Sequence, residues 1–245
     1  MQAFPPQASG SVAEQVNRLF DALPDVFLFV KDRQGRFTRG NTAWLEMHGC
    51  RSEADAIGKS DFDFHPPALA SQYVAEDARV MESREPLVNQ AWLVGDHHGT
   101  PQWYLCTKLP LFADDGSVAG IAGILRPFDQ AGQAPDEYRR LTPVIEEVTQ
   151  NFGRRLAVGD LARLADLSPS QLQREFRRLF GMTVADYVAR IRLVMASRKL
   201  RESDAAIGQI ARDCGFHDQA HFTKAFKKYA GQTPRQYRER RQGHQ

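Results

Sequence analysis

The most constraining feature of the sequence is a pattern that occurs twice, 50 residues apart. The segment LQREFRRLFGMTVADY, residues 172–187, aligns with FTKAFKKYAGQTPRQY, residues 222–237. Both copies place a phenylalanine before two adjacent cations, and both continue with a glycine that is followed two residues later by a threonine. A repeated supersecondary unit is the simplest explanation of such self-similarity. This part of the chain is therefore predicted to contain two copies of one small fold.

Each copy is predicted to be a helix-turn-helix unit. A short apolar helix, VGDLARLADL or IGQIARDCGF, precedes each repeated segment. In the first unit, Ser168 can cap the second helix and Pro169 can take its first position. In the second unit, Gly215 fits the left-handed residue that ends a helix and Asp218 fits the next cap. The apolar stripe of residues 184–200 predicts a helix that connects the two units.

The second helix of each unit is predicted to bury one face and to present a basic one. At about 100° per residue, Phe222 and Phe226 form a buried stripe in the second copy, while Lys224 and Lys227 point away from it. The first copy matches this arrangement position for position. Glu175 is the only acid within either second helix, whereas an ordinary solvated face mixes Glu with Lys. The pattern favours a surface for phosphate over the alternative of a plain solvated face.

The charge distribution divides the chain into an acidic part and a basic part. The first 134 residues contain 11 Lys and Arg against 17 Asp and Glu, and the remainder contains 21 against 13. A basic module attached to an acidic one is typical of a protein whose basic part meets a polyanion. The Pro- and Gly-containing segment RPFDQAGQAPDEYRR lies between them. The predicted organisation is a disordered N-terminus (1–11), a first domain (12–129), a linker (130–141) and a helical domain (142–241).

The basic part resembles the AraC/XylS family of transcription regulators. The segment RKLRESDAAIGQIARDCGFHDQAHFTKAFKKYAGQTPRQYRE carries the family signature, and the resemblance covers residues 142–241. It implies a sequence-specific DNA-binding regulator, in particular an activator that contacts RNA polymerase. It also implies that the second helix of each unit enters a major groove of double-stranded DNA.

The resemblance assigns roles to the outward side chains of the two second helices. Side chains near each helix N-terminus are expected to reach base edges, where Arg174 suits guanine and Gln173 suits adenine. Side chains further along are expected to hold phosphate and to give affinity without sequence selectivity. The predicted base-facing residues are Ser170, Gln173, Arg174, Gln219, Ala220, His221, Thr223 and Lys224. The predicted phosphate-binding residues are Arg177, Arg178, Lys227 and Lys228.

The acidic part alternates short strands with short helices. An amphipathic helix is predicted over residues 12–23, followed by the hairpin VFLFVKDRQGRFTRG, two helices and three further strands. This succession predicts an α+β fold with a five-stranded antiparallel sheet, alongside the all-α C-terminal domain. The segments LPDVFLFVKDRQGRFTRGNTAW, IGKSDFDFHPP and GSVAGIAGILRPF resemble a PAS domain. The resemblance implies that the domain binds a small molecule or cofactor, or simply dimerises.

Four aromatic residues are candidates for a ligand pocket in the PAS-like domain: Trp44, Trp92, Trp103 and Tyr104. Alternation along the strands would place them in the core instead. The expected ligand is a small organic molecule of aromatic or carboxylate character that controls the DNA-binding output. The helix of residues 12–23 could pair two chains into a homodimer, or could pack onto its own sheet.

A heme or flavin cofactor is the alternative signal. Cys50 lies in HGCRSEAD, which is not the Asn-Cys-Arg-Phe motif of blue-light PAS domains. His65 is the candidate axial heme ligand, with a capping or surface role as the simpler alternative. His97 and His98 are expected in a solvated turn. The sequence contains no evident metal-binding set.

No motif indicates an enzyme. The chain lacks a nucleophile elbow, a phosphate-binding glycine loop and a kinase motif, and its acid–histidine cluster, Asp61, Asp63 and His65, is explained by a loop that caps the next helix. The three cysteines are widely spaced, which predicts neither a disulfide framework nor a zinc site. No apolar run approaches the roughly 20 residues that span a bilayer. We therefore expect a cytoplasmic protein without a signal peptide.

Overall fold

The computed structural model describes residues 18–23, 25–95, 101–127 and 136–242. A sheet with short helices precedes residue 127, and helices follow residue 136, so the predicted α+β and all-α classes are confirmed. The predicted disordered N-terminus (1–11) and the predicted turn with His97 and His98 lie outside the described residues. Within the described ranges, no helix combines the length and the apolar character needed to cross a membrane.

The first part is a five-stranded antiparallel sheet in the order β2-β1-β5-β4-β3. The hairpin between its first two strands turns at Gly35, whose φ of 74° is a left-handed value that glycine adopts without strain. A Cβ at Gly123 would overlap the ring of Phe29 on the neighbouring strand, so this position needs glycine. The strands are β1 (Phe27–Asp32), β2 (Phe37–Gly40), β3 (Leu87–Gly95), β4 (Pro101–Phe112) and β5 (Val118–Pro127).

Short helices connect β2 to β3 and pack on one face of the sheet. Asn41 fixes the first of them, because its side-chain oxygen accepts from the amides of Leu28 and Trp44 at 2.9 and 3.1 Å. Its amide nitrogen donates to the carbonyl of Val26. The helices are α1 (Thr42–Met47), a 3-10 turn (Glu53–Asp55), α2 (Asp61–Phe64) and α3 (Pro67–Ser83), and residues 18–21 are also helical.

The second part consists of helices whose ends follow the predicted signals. Ser168 accepts a hydrogen bond from the amide of Gln171, and Asp218 accepts one from the amide of His221. Gly215 has a φ of 74°, as a helix-ending glycine should. The helices are α4 (Asp136–Arg139), α5 (Thr142–Asn151), α6 (Val158–Leu164), α7 (Pro169–Phe180), α8 (Val184–Glu202), α9 (Ile207–Asp213), α10 (Gln219–Ala230) and α11 (Pro234–Gln242).

The outer face of the sheet packs against the first helix-turn-helix unit, α6 and α7. Trp103 is buried there, with its ring centroid 4.6 Å from that of Phe180. Its indole nitrogen donates to the hydroxyl of Tyr187 at 3.0 Å. Tyr138 and Leu141, which fall inside the predicted linker 130–141, are buried in the same hydrophobic cluster. The two parts of the chain therefore share a core on this side.

The helical face of the sheet meets the second helix-turn-helix unit, α9 and α10. Helix α3 packs against α10. Pro67 lies so close to Gly231 that a Cβ at that position would contact its ring. Arg190 of the connecting helix α8 donates to the side-chain oxygen of Gln72 at 2.7 Å. The sheet-bearing part thus contacts both helix-turn-helix units.

Candidate nucleic-acid interface

Helix α7 is held by its ends and by one apolar face. A capping box joins Ser168 to Gln171 at its start, and Gly181 ends it with a φ of 65°. Leu172 and Phe176 on the inner face are completely buried. Because both ends and the inner face of α7 are fixed, its outward side chains project from a rigid helix backbone.

Helix α10 repeats this construction 50 residues later. Asp218 caps its start, Gly231 ends it with a φ of 73°, and Phe222 and Phe226 are completely buried on its inner face. The carboxylate of Asp218 accepts the amide of His221, and this hydrogen bond holds the pKa of Asp218 below its usual range; burial opposes it only weakly. The sequence repeat therefore corresponds to two helices with matching anchors.

The predicted DNA-contacting side chains lie on the outward faces of α7 and α10. Gln173 and Thr223 are half-buried, and the others are exposed. Three of them make local polar contacts: Thr223 donates to the carbonyl of Gln219 at 2.8 Å, Ser170 lies 3.2 Å from the Ser168 hydroxyl, and Arg178 pairs with Glu175 at 3.0 Å. The ring of His221 lies edge-on to that of Phe216. The exposed members are Ser170, Arg174, Arg177, Arg178, Gln219, Ala220, His221, Lys224, Lys227 and Lys228.

Two arginines outside the predicted set hold the scaffold of these helices. Arg140 donates to the carbonyls of Ala165 and Asp166, both at 2.9 Å, in the turn that precedes α7. Arg192 donates to the carbonyl of Phe152, also at 2.9 Å. These roles cannot be predicted from the sequence, since a backbone carbonyl as partner leaves no pattern of residue types.

The aromatic candidates for a ligand pocket do not converge. Trp44, Trp92 and Tyr104 are buried in the core under the helices, with Trp92 stacked on Tyr73 at 4.3 Å between ring centroids. Trp103 immediately precedes Tyr104 on β4 and therefore faces the opposite side of the sheet, against the helical domain. The structure therefore does not bring Trp103 together with the other three candidates.

The interior of the sheet-bearing part is occupied by a buried ionic network. Lys31 Nζ lies 2.6 Å from Asp61 and 2.7 Å from Asp77. Lys108 bonds the other oxygen of Asp77 and lies 4.0 Å from the centroid of a Trp92 ring. Burial lowers the pKa of Lys108, but the neighbouring carboxylates outweigh it and the net shift is upward. Four charges thus fill the space where a PAS ligand would be expected.

A void of about 20 Å³ in this interior is bordered by Trp44, His65 and Trp92. Binding pockets for drug-sized ligands measure about 300–1,000 Å³. A heme or a flavin therefore does not fit beside His65 in this arrangement. His65 instead lies 3.4 Å from His48, measured between the Nε2 atoms.

The acid–histidine cluster of α2 does not form a catalytic arrangement. Asp61 is bonded to Lys31 in the interior. Asp63 accepts from the amide and the hydroxyl of Ser60 at 2.8 and 2.9 Å and so caps the start of α2 itself. The predicted loop that caps the next helix is therefore a short helix, and α3 begins without a side-chain cap. Since each acid serves a different partner, the cluster is structural.

Comparison with known proteins identifies both parts of the chain. Residues 161–240 match the family model of a helix-turn-helix domain, and residues 20–131 match that of a PAS fold. The first region contains both helix-turn-helix units and the second contains the sheet. The chain thus combines an AraC-type helix-turn-helix domain with a PAS domain.

The curated relatives match part of the chain. The transcriptional activator RhaR of Yersinia pestis is 35% identical over 112 residues, which cover 46% of this chain and 38% of RhaR. The bifunctional transcriptional activator and DNA repair enzyme AdaA of Bacillus subtilis is 32% identical over 96 residues, 39% of this chain and 46% of AdaA. The chain therefore spans less than half the length of these curated relatives. A solved transcriptional regulator from Chromobacterium violaceum is 29% identical, with a TM-score of 0.41, and covers 42% of this chain and 92% of that structure.

Proposed function

We propose that the protein is a sequence-specific DNA-binding transcription regulator controlled by a small-molecule signal that acts on its PAS domain. The observation that carries the proposal is the pair of helices α7 and α10. They bury matching apolar stripes and leave matching cationic faces exposed. Phosphate contacts supply most of the affinity of such a surface, because bound cations release counterions from the duplex.

The base contacts are proposed for the first two turns of the two helices. Arg174 and Gln173 on α7 can form paired hydrogen bonds to guanine and adenine. On α10, Lys224 and His221 are exposed and can reach base edges, while Ala220 permits close approach to a thymine methyl group. The later cations of each helix, headed by Arg177 and Lys227, hold the DNA backbone.

The connecting helix sets the distance between the two units. Helix α8 contains 19 residues, so it is about 28 Å long at 1.5 Å per residue. Successive major grooves on one face of a duplex are about 34 Å apart. The length of α8 therefore suits a single chain whose two units bind two segments about one helical turn apart.

The partners in the cell are part of the same proposal. RhaR and AdaA are both named as transcriptional activators, which supports activation through RNA polymerase in the cytoplasm. Leu19 and Leu23, on the described end of the predicted N-terminal helix, are 63% and 46% exposed. Their exposure favours pairing of two chains over packing of this helix on its own sheet.

The test is selection of bound duplexes from a random pool by the full chain at moderate salt. Enrichment of a sequence with two conserved segments supports the proposal, and Arg174→Ala should relax the preference in only one segment. Arg235→Ala is the matched control, because Arg235 is exposed on α11 and pairs with Glu239 outside the proposed surface. Recovery of no sequence above random competitor would contradict the proposal.

A further inference from the structure

A cleft lies between the PAS domain and the second helix-turn-helix unit. Its volume is about 340 Å³, within the range of small-molecule sites and far above the 20 Å³ of the PAS interior. One wall is the segment 62–69, which joins α2 to α3. The other wall is formed by side chains of α8, α10 and α11. We call this space the interdomain cleft.

The interdomain cleft has an apolar floor and a rim of apolar and charged side chains. Leu69, Val194 and Tyr229 are buried along it. Phe62, which is 53% exposed, and Arg240, which is also exposed, stand at its edge. An apolar cavity with a few placed polar groups is the usual form of a site for a small organic ligand.

Arg201 is half-buried and is one of the residues that line the interdomain cleft. Its Nη1 donates to the hydroxyl of Tyr237 at 2.7 Å. Its Nη2 is buried and has no hydrogen-bond partner among the described residues. A buried guanidinium donor without an acceptor costs free energy, and an ionised acceptor forms the strongest hydrogen bonds with it.

The charges on the described walls favour an anion. The described residues that line it include two arginines, Arg201 and Arg240, and one acid, Asp63. The Asp63 carboxylate is engaged by the amide and hydroxyl of Ser60, and these bonds keep its pKa below the usual value. The cleft therefore keeps a net positive wall around its apolar floor.

A second cleft shows what distinguishes this one. It lies between α3 and the end of α7 and measures about 440 Å³. Both of its arginines are paired with acids, Arg79 with Glu76 at 3.7 Å and Arg178 with Glu175 at 3.0 Å. The two arginines of the second cleft have carboxylate acceptors within the protein. The Nη2 of Arg201 has no acceptor among the described residues.

We propose that the interdomain cleft binds a small organic anion, a carboxylate or phosphate ester on an apolar or aromatic body, and that this ligand bridges the PAS domain and the second helix-turn-helix unit. The proposal deepens the signal-sensing part of the proposed function and rests on that part alone. A ligand that touches both domains stabilises the packed arrangement by its differential affinity for it. The signal would then act at the domain boundary rather than inside the PAS domain.

The test measures binding to the full chain without DNA, at constant ionic strength. The probes are benzoate, phenyl phosphate and inorganic phosphate. Their binding is measured by calorimetry and by the shift in thermal unfolding. We expect saturable binding of benzoate or phenyl phosphate, and weaker binding of inorganic phosphate. Arg201→Gln should weaken it by about tenfold, the effect of losing one charged hydrogen bond. Arg240→Gln should also weaken it and leaves the buried interior unchanged, so it serves if Arg201→Gln does not fold.

Arg235→Gln is the control, since Arg235 is exposed on the same helix as Arg240 but lies outside the cleft. Unchanged binding in this variant supports the proposal. Equal weakening in all three variants, or equal affinity for inorganic and phenyl phosphate, would indicate general attraction to a basic domain and would overturn it. The proposal would also be overturned if neither organic probe bound saturably at concentrations up to about 10 mM, because a specific site should bind more tightly than that. Because DNA is absent, a failure here leaves the DNA-binding proposal standing, and a failure of DNA binding leaves this result unaffected.

Discussion

Tyr187→Phe tests whether the PAS domain and the helical domain are packed together in solution. The substitution removes one hydroxyl, which accepts from the buried indole nitrogen of Trp103 at 3.0 Å. That hydroxyl also lies 3.3 Å from Thr149, but Thr149 keeps its own bond to the carbonyl of Ile145 at 2.8 Å. The indole nitrogen is therefore the main group left without a partner. Leaving one buried donor unsatisfied costs about 1–3 kcal/mol.

The assay is thermal and denaturant unfolding of the full chain in a double-mutant cycle with Trp103→Phe. Tyr187→Phe should lower the melting temperature by about 2–4 °C for each kcal/mol lost, given a chain of this size. The double variant should lose less than the sum of the two single losses, by about 0.5–1.5 kcal/mol, because the Trp103–Tyr187 bond is already absent in either single variant. Additive losses would mean that the two side chains do not touch, and would refute the packed arrangement and with it the interdomain cleft.

Three further predictions concern DNA binding and pH. Arg174→Ala should reduce the free energy of DNA binding by about 1–3 kcal/mol and relax the preference at one base pair. Competition with single-base variants of the selected duplex measures both effects. An unchanged preference would show that Arg174 does not contact a base. Lys227→Ala should weaken all duplexes alike and reduce the slope of log affinity against log salt by about 1, as followed by fluorescence anisotropy; a sequence-dependent loss would contradict the phosphate assignment. Burial lowers the pKa of His65 well below its usual value, and His48 and Lys31 add to this, so the unfolded chain takes up a proton near pH 6.5 that the folded chain resists. The contribution of His65 to the free energy of unfolding should therefore be fully present above pH 6.5. Below that pH, the free energy of unfolding should fall by up to about 1.4 kcal/mol per pH unit. Denaturant unfolding should show a shallower fall for His65→Gln and an unchanged fall for the exposed control His217→Gln.

The helical domain could be predicted closely because its signals are local. The capping residues Ser168 and Asp218 and the helix-ending Gly215 act within one turn of their own positions. The sequence repeat adds a second, independent copy of the same helix-turn-helix pattern. The five strands followed from alternation and turn residues for the same reason. In these regions the local preference of the sequence agrees with the final fold.

The arrangement of the domains could not be predicted, because it joins residues far apart in the chain. Alternation along β4 places Trp103 and Tyr104 on opposite faces, but it does not indicate that a second domain covers the outer face. Lys31 and Lys108 stand on strands where charged residues usually face solvent, so their burial beside Asp77 was missed. The interdomain cleft was missed as well, since its walls come from both domains.

The most direct test of the DNA-binding account is a hydroxyl-radical footprint of the full chain on its selected duplex. We expect two protected segments on one face of the duplex, about 10 base pairs apart. Arg174→Ala should weaken protection in one segment and Lys224→Ala in the other, because each residue belongs to a different helix-turn-helix unit. A single protected segment, or the loss of the same segment in both variants, would contradict the claim that α7 and α10 occupy neighbouring major grooves.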